Sequence, residues 1–198
     1  MLKSIRGFES WPELRQALYT SYRTRVITPI VRKALRMWFH NPIKAEVVNS
    51  KGEVIQVSFS HNDIVDQGMN ALLDIFFRNQ TQIAIWYMGL IDGSGTQTLS
   101  NSDVAGTHAG WTENTSFTGG PSRKDWTAAL AAAAARSISN STTLDFAFTT
   151  TQTIHGIMVI NHVTADTGSE TLWSTAPFST EVTVNDGDTL KVTYTVSG

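Results

Sequence analysis

The sequence reads as mainly β: an antiparallel β-sandwich behind an N-terminal helical arm, with one further amphipathic helix. Three observations predict this. Beyond residue 82, short apolar or alternating runs are separated by Gly, Asn, Asp, Ser and Thr, the punctuation of sandwiches and barrels. Residues 10–40 and 62–78 instead space their apolar side chains for helices. Charge also divides the chain. Residues 1–44 hold nine basic side chains (Lys3, Arg6, Arg15, Arg23, Arg25, Arg32, Lys33, Arg36, Lys44) against Glu9 and Glu13, a charge of +7, while the rest holds six basic and fifteen acidic ones, −9. Halves so different meet different surroundings. The expected division is a basic helical arm over 1–44 and a β-sandwich domain over 45–198 that includes the helix at 62–78.

In the arm, Ser10 fits an N-cap and Pro12 falls where a missing N–H is harmless. Leu14, Leu18, Tyr22 and Val26 then form one stripe, with Arg15, Arg23 and Arg25 off it. Pro29 breaks or kinks the pattern. Ile30, Ala34, Leu35, Trp38 and Phe39 resume it until Asn41-Pro42 stops the helix.

Residues 43–60 predict a hairpin, because Ile43, Ala45 and Val47 alternate into the turn residues Asn49, Ser50, Lys51 and Gly52 before a second run at 54–59. Ser60 or Asn62 is then expected to cap the helix that carries Ile64, Met69, Leu72, Leu73, Ile75 and Phe76. Further strands are expected at 83–90, 144–148, 154–161, 171–173, 181–184 and 189–196. In the last, Leu190, Val192, Tyr194 and Val196 share one face and Lys191, Thr193 and Thr195 the other, so one side is core and one is wet. Residues 92–110 have almost no large apolar side chains and read as a long exposed loop. The alanine-rich run 128–135 is open between a helical turn, a loop and a strand.

At 198 residues the chain can bury one full core. Its net charge of −2 and its lack of any apolar run near the roughly 20 residues of a spanning helix fit a soluble globular protein. No leader-like apolar stretch follows Lys3 and Arg6, so synthesis in the cytoplasm is expected. The absence of cysteine excludes disulfides, thiolate metal sites and Cys nucleophiles.

Chemistry-bearing patterns are weak throughout. His61, Asn62, Asp63 and Asp66 could ligate a cation, but acidic residues at a helix start are the ordinary dipole arrangement. Asn185-Asp186-Gly187-Asp188 lacks the spacing of a calcium loop and reads as a type I′ hairpin turn. His155 and His162 lie seven apart on one strand, hence on opposite faces. Phosphate-loop, nucleophile-elbow and zincin motifs are missing. We therefore expect no catalytic residue, no metal, no cofactor, no small-molecule substrate and no enzymatic activity.

The arm carries the partner-binding expectation, on Leu14, Arg15, Leu18, Tyr22, Arg23, Arg25, Val26, Arg32, Lys33, Arg36 and Trp38. Its cations suit phosphate or an anionic membrane. Its equally numerous apolar residues suit docking on an acidic protein surface better, so neither nucleic acid nor membrane is the expected partner.

Across the distal half, Gly110-Trp111-Thr112-Glu113, Arg123-Lys124-Asp125-Trp126, Ser137-Ile138-Ser139-Asn140, Phe146, Ile154-His155-Gly156, Leu172-Trp173-Ser174, Phe178 and the closing run from Val184 to Tyr194 follow one another. This series resembles a family of tailed-phage virion proteins that includes capsid decoration, or cement, proteins. The resemblance spans about residues 62–198; the alanine-rich run departs from it and the arm lies outside it. It implies a jelly-roll-like sandwich, location in the virion and a cement role on the capsid. That the arm clamps the protein to the major capsid protein is expected from its charge and apolar stripe, and association with copies of itself as a dimer or trimer from the apolar helix Ile64 to Phe77 beside a long polar loop. The alternative function is a tail-fibre or receptor-binding module recognising a host glycan, for which Trp111 and Trp126 are the candidate sugar-stacking platforms unless both are core.

Overall fold

The expected hairpin forms as β1 (Pro42–Val48) and β2 (Val54–His61). Its turn is held by the Asn49 side chain, whose Oδ1 accepts from the N–H groups of Lys51 (2.9 Å) and Glu53 (3.0 Å), with Gly52 at φ 84°. Glycine meets that angle without a Cβ clash. These elements come from a computed structural model that describes residues 41–106, 108–130, 132–133, 136–164 and 170–197.

The remaining elements are β3 (Asp63–Ile64), α1 (Asp66–Arg78), β4 (Tyr87–Asp92), β5 (Glu113–Asn114), β6 (Lys124–Asp125), β7 (Ser137–Ser139), β8 (Leu144–Ala147), β9 (Gln152–Ile160), β10 (Leu172–Val184) and β11 (Thr189–Ser197). They build two antiparallel sheets. One runs β2-β1-β11-β7 with β8 also on β11; the other runs β3-β10-β9-β4-β5 with β6 also on β4. Their facing sides bury Ile43, Met88, Phe146, Phe148, Ile154, Leu190, Val192 and Tyr194, each large apolar side chain contributing about 1.5–3 kcal/mol of transfer free energy. The mainly β expectation and the sandwich follow directly from this arrangement.

Four details differ from the sequence reading. The helix begins at Asp66, and its N-cap position, Val65, has no side-chain cap. Residues 60–64 are claimed by strand pairing instead: β2 reaches His61 and β3 pairs with β10. Asn62 turns inward, donating from Nδ2 to the Tyr194 hydroxyl at 2.6 Å.

The segments 171–173 and 181–184 are one strand, β10. Its register against β9 jumps between Pro177 and Val182, and a bulge of that size lets the strand carry a proline. Third, residues 93–112 are not a free loop. Leu99, Ala105 and Trp111 cover Ile91, Met158, Ile160 and Leu172 in a second apolar cluster, and buried Asp103 accepts from Trp111 Nε1 (2.9 Å) and the Ser100 N–H (2.9 Å).

Fourth, only Gly187 takes positive φ in the turn before β11, so the type I′ turn, which needs two such residues, does not form. The alanine-rich run opens with a single 3₁₀ turn, Thr127–Ala129, after which Leu130 bridges to Asn140.

Candidate partner-binding surfaces

The eleven arm residues expected to bind a partner, from Leu14 to Trp38, lie outside the described residues. Of the arm's nine cations Lys44 alone is described. It sits in β1 with its Nζ 2.7 Å from Glu46 Oε1, so its charge is answered locally.

The residues that carry the family resemblance form a framework. Arg123 donates twice to Glu113, Nε to Oε1 and Nη2 to Oε2, both at 2.8 Å. Its Nη1 also donates to the carbonyls of His162 and Thr164 at 2.9 Å each. Both side chains are nearly buried, and the forked geometry makes this a strong charge-assisted pair. Asn140 closes β11 in the same manner, accepting from the Tyr194 N–H (2.7 Å) and donating to the Val192 carbonyl (3.0 Å).

Trp111 is 3% exposed and Trp126 5%. Trp111 lies under His108, rings 3.6 Å apart and parallel, while Trp126 tilts against Tyr194 at 5.0 Å. Both are core residues and not exposed sugar-stacking platforms. Both are core because the loop over the second sheet and the 3₁₀ turn close upon them. The histidines are separate: His155 Nδ1 lies 2.9 Å from Glu181 Oε1 and His162 Nδ1 3.6 Å from Glu170 Oε1.

Two surfaces are suited to a protein partner. The first is the outward side of β2. Its inward residues are polar: Ser58 Oγ donates to the Thr180 carbonyl (3.1 Å), Gln56 Nε2 to that of Glu181 (3.1 Å), and Ser60 to that of Pro177. They satisfy backbone that the β10 bulge removes from the ladder. Strand alternation then turns Ile55, Val57 and Phe59 out to solvent, Phe59 being 60% exposed. Among the described residues β2 is the outermost strand of its sheet.

The second surface is an apolar groove of about 310 Å³ beside α1, walled by Leu72, Ile75, Ile83, Trp86, Trp126 and Trp173. The helix can approach because Gly68 faces the Trp173 carbonyl; a Cβ there would come within 2.4 Å of that oxygen. Beneath the groove, Trp173 Nε1 donates to the Tyr194 hydroxyl at 3.2 Å. Tyr194 is fully buried, and burial raises its pKa to about 12 against the lowering effect of hydrogen bonds from Ser174, Trp173 and Asn62. Sequence reading missed the groove, since its three tryptophans are 40 or more residues apart; the signal was the six tryptophans in the chain.

A family model described as podophage GP4 fiber I protein gp80 matches residues 63–196. The chain belongs to this family. It is therefore a phage virion structural protein. The match runs from β3 to the end of the sandwich, leaving the arm and the β1–β2 hairpin outside. No curated protein matched the chain.

Proposed function

We propose that this chain is a non-enzymatic subunit of the phage tail fibre, held to the particle through its N-terminal arm and associated with copies of itself. The observation that carries the reading is the fibre family match across 63–196. The arm supports the anchoring role by its composition, which sets the stripe Leu14, Leu18, Tyr22 and Val26 beside a local charge of +7. Cationic residues steer encounter and apolar anchors set the lifetime of such contacts. Copies of the chain are the proposed occupants of the β2 face, because the strand that is outermost among the described residues exposes Ile55, Val57 and Phe59, apolar area that an identical face can cover.

Particles assembled without this protein test the reading against cement attachment to the major capsid protein. Under heat or osmotic stress such particles should keep their DNA as well as complete ones do, yet adsorb poorly to host cells. Heads that burst while adsorption is normal would replace the fibre reading with the cement one.

A further inference from the structure

We propose that the groove beside α1 receives the Phe76–Phe77 end of α1 from a second copy of this chain, in a reciprocal two-fold contact. This extends the self-association proposed above to a second surface and rests on that part of the reading, whichever virion component the chain joins.

The groove and its occupant lie on one helix. Leu72 and Ile75 form a wall of the groove, and the next two residues, Phe76 and Phe77, stand 77% and 64% exposed with their rings edge to face at 5.2 Å. Exposed Ile85 adds to the same apolar character, and a patch of this kind marks an interaction surface. Where one element carries both a cavity and a projecting group, a two-fold axis beside it makes each copy donor and receiver at once, and the contact closes as a dimer. Arg78 and Asp74 pair at 3.1 Å on this helix end, so two such ends meet without like-charge repulsion.

Size and chemistry select this occupant. At about 310 Å³ the groove lies at the low end of the roughly 300–1,000 Å³ of ligand cavities, room for aromatic side chains rather than for a helix about 10 Å across. Trp86 and Trp173, tilted with centroids 5.9 Å apart, offer edges and faces to an entering ring. The groove also has one unmet polar demand: Trp126, which lines it, buries its Nε1 with no acceptor among the described residues. Buried donors are almost always satisfied, and the last turn of a helix carries carbonyls that the helix itself does not bond, so the entering end brings acceptors with it. The area suffices as well. At roughly 150–250 Å² per aromatic side chain, the exposed parts of Phe76 and Phe77 present about 200–350 Å². The walls they meet lose as much, so two reciprocal insertions bury about 800–1,400 Å², around the roughly 1,000 Å² that a specific interface needs.

Because the chain has no cysteine, single introduced thiols report on the contact. Full-length Arg78→Cys and Ile138→Cys copies, each with a different tag, are to be mixed, left to exchange and treated with a short bis-maleimide. We expect a cross-linked dimer carrying both tags, and none when Lys51→Cys at the hairpin turn replaces Arg78→Cys. Phe76→Asp in both copies should weaken association at least about thirtyfold, as loss of a central aromatic anchor does, and remove the cross-link. Phe59→Asp should leave the cross-link in place, which separates this contact from the β2 face. Melting curves confirm that each variant is folded; Phe76→Ser and Val196→Cys serve for any that is not. An oligomer that Phe59→Asp dissolves and Phe76→Asp does not would overturn this contact and keep the β2 one, whereas a monomeric parent would overturn both. An Ile138→Cys thiol that stays closed to maleimide in monomeric Phe76→Asp protein would give the groove to another occupant and overturn the proposal.

Discussion

Replacing Arg123 by leucine should be among the most damaging single changes in the sandwich. The substitution leaves the Glu113 carboxylate in a nearly buried site with no countercharge and removes the donor from the carbonyls of His162 and Thr164. Breaking a buried pair from one side costs about 3–5 kcal/mol. At about 2–4 °C of melting temperature per kcal/mol for a chain of this size, the shift is roughly 6–20 °C. The double variant Arg123→Leu with Glu113→Leu buries no charge. It should lose only the two carbonyl bonds, about 1–3 kcal/mol, and so melt higher than the single variant. Thermal unfolding followed by circular dichroism on the four proteins of the cycle reads both effects. A single variant within about 2 °C of the parent, or a double variant at the sum of the two single losses, would refute the account of the pair.

Tyr194 predicts an alkaline transition: its folded pKa of about 12 lies above its ordinary 10.0, so its contribution is complete below pH 10 and is lost as pH rises through 12. Two pH units correspond to roughly 3 kcal/mol, to be read as a fall in the urea midpoint over that window which Tyr194→Phe abolishes. That variant should itself be less stable by about 1–3 kcal/mol at neutral pH, since it strands the Asn62 and Trp173 donors. Gly156→Ala should destabilise by at least about 1–3 kcal/mol in the same assay, because its Cβ would lie 2.0 Å from the Ala176 carbonyl oxygen. Phe59→Asp should leave the melting temperature within a few degrees while shifting sedimentation of the protein toward the monomer; unchanged sedimentation of an oligomeric parent would remove β2 from the self-association surface.

The elements legible in the sequence are those whose signals are local. The β1–β2 hairpin is written in Asn49 and Gly52, and β11 in the strict alternation from Leu190 to Val196. Mainly β character followed from the same turn punctuation. The helix start is not legible locally, because Asn62 is a good cap by type but is recruited by Tyr194, 132 residues away. The continuity of β10 was hidden because Pro177 reads as a break, and only the polar face of β2, brought alongside, satisfies the bulge beyond it.

Residues 93–112 read as exposed because their apolar anchors, Leu99, Ala105 and Trp111, are few and scattered. The candidate surfaces were harder still. Ile55, Val57 and Phe59 look like core residues until the inward serines of the same strand are seen to have partners, and the groove joins side chains from α1, the segment after it and both sheets. The arm's partner-binding residues, Leu14 to Trp38, are legible only as composition and periodicity and lie outside the described residues.

The central claim, that this virion protein belongs to the tail, is tested most directly by imaging particles labelled with gold-conjugated antibody against residues 63–196. Gold clustered at the tail is the predicted result. Gold distributed over the surface of the head, with the tail bare, would contradict it.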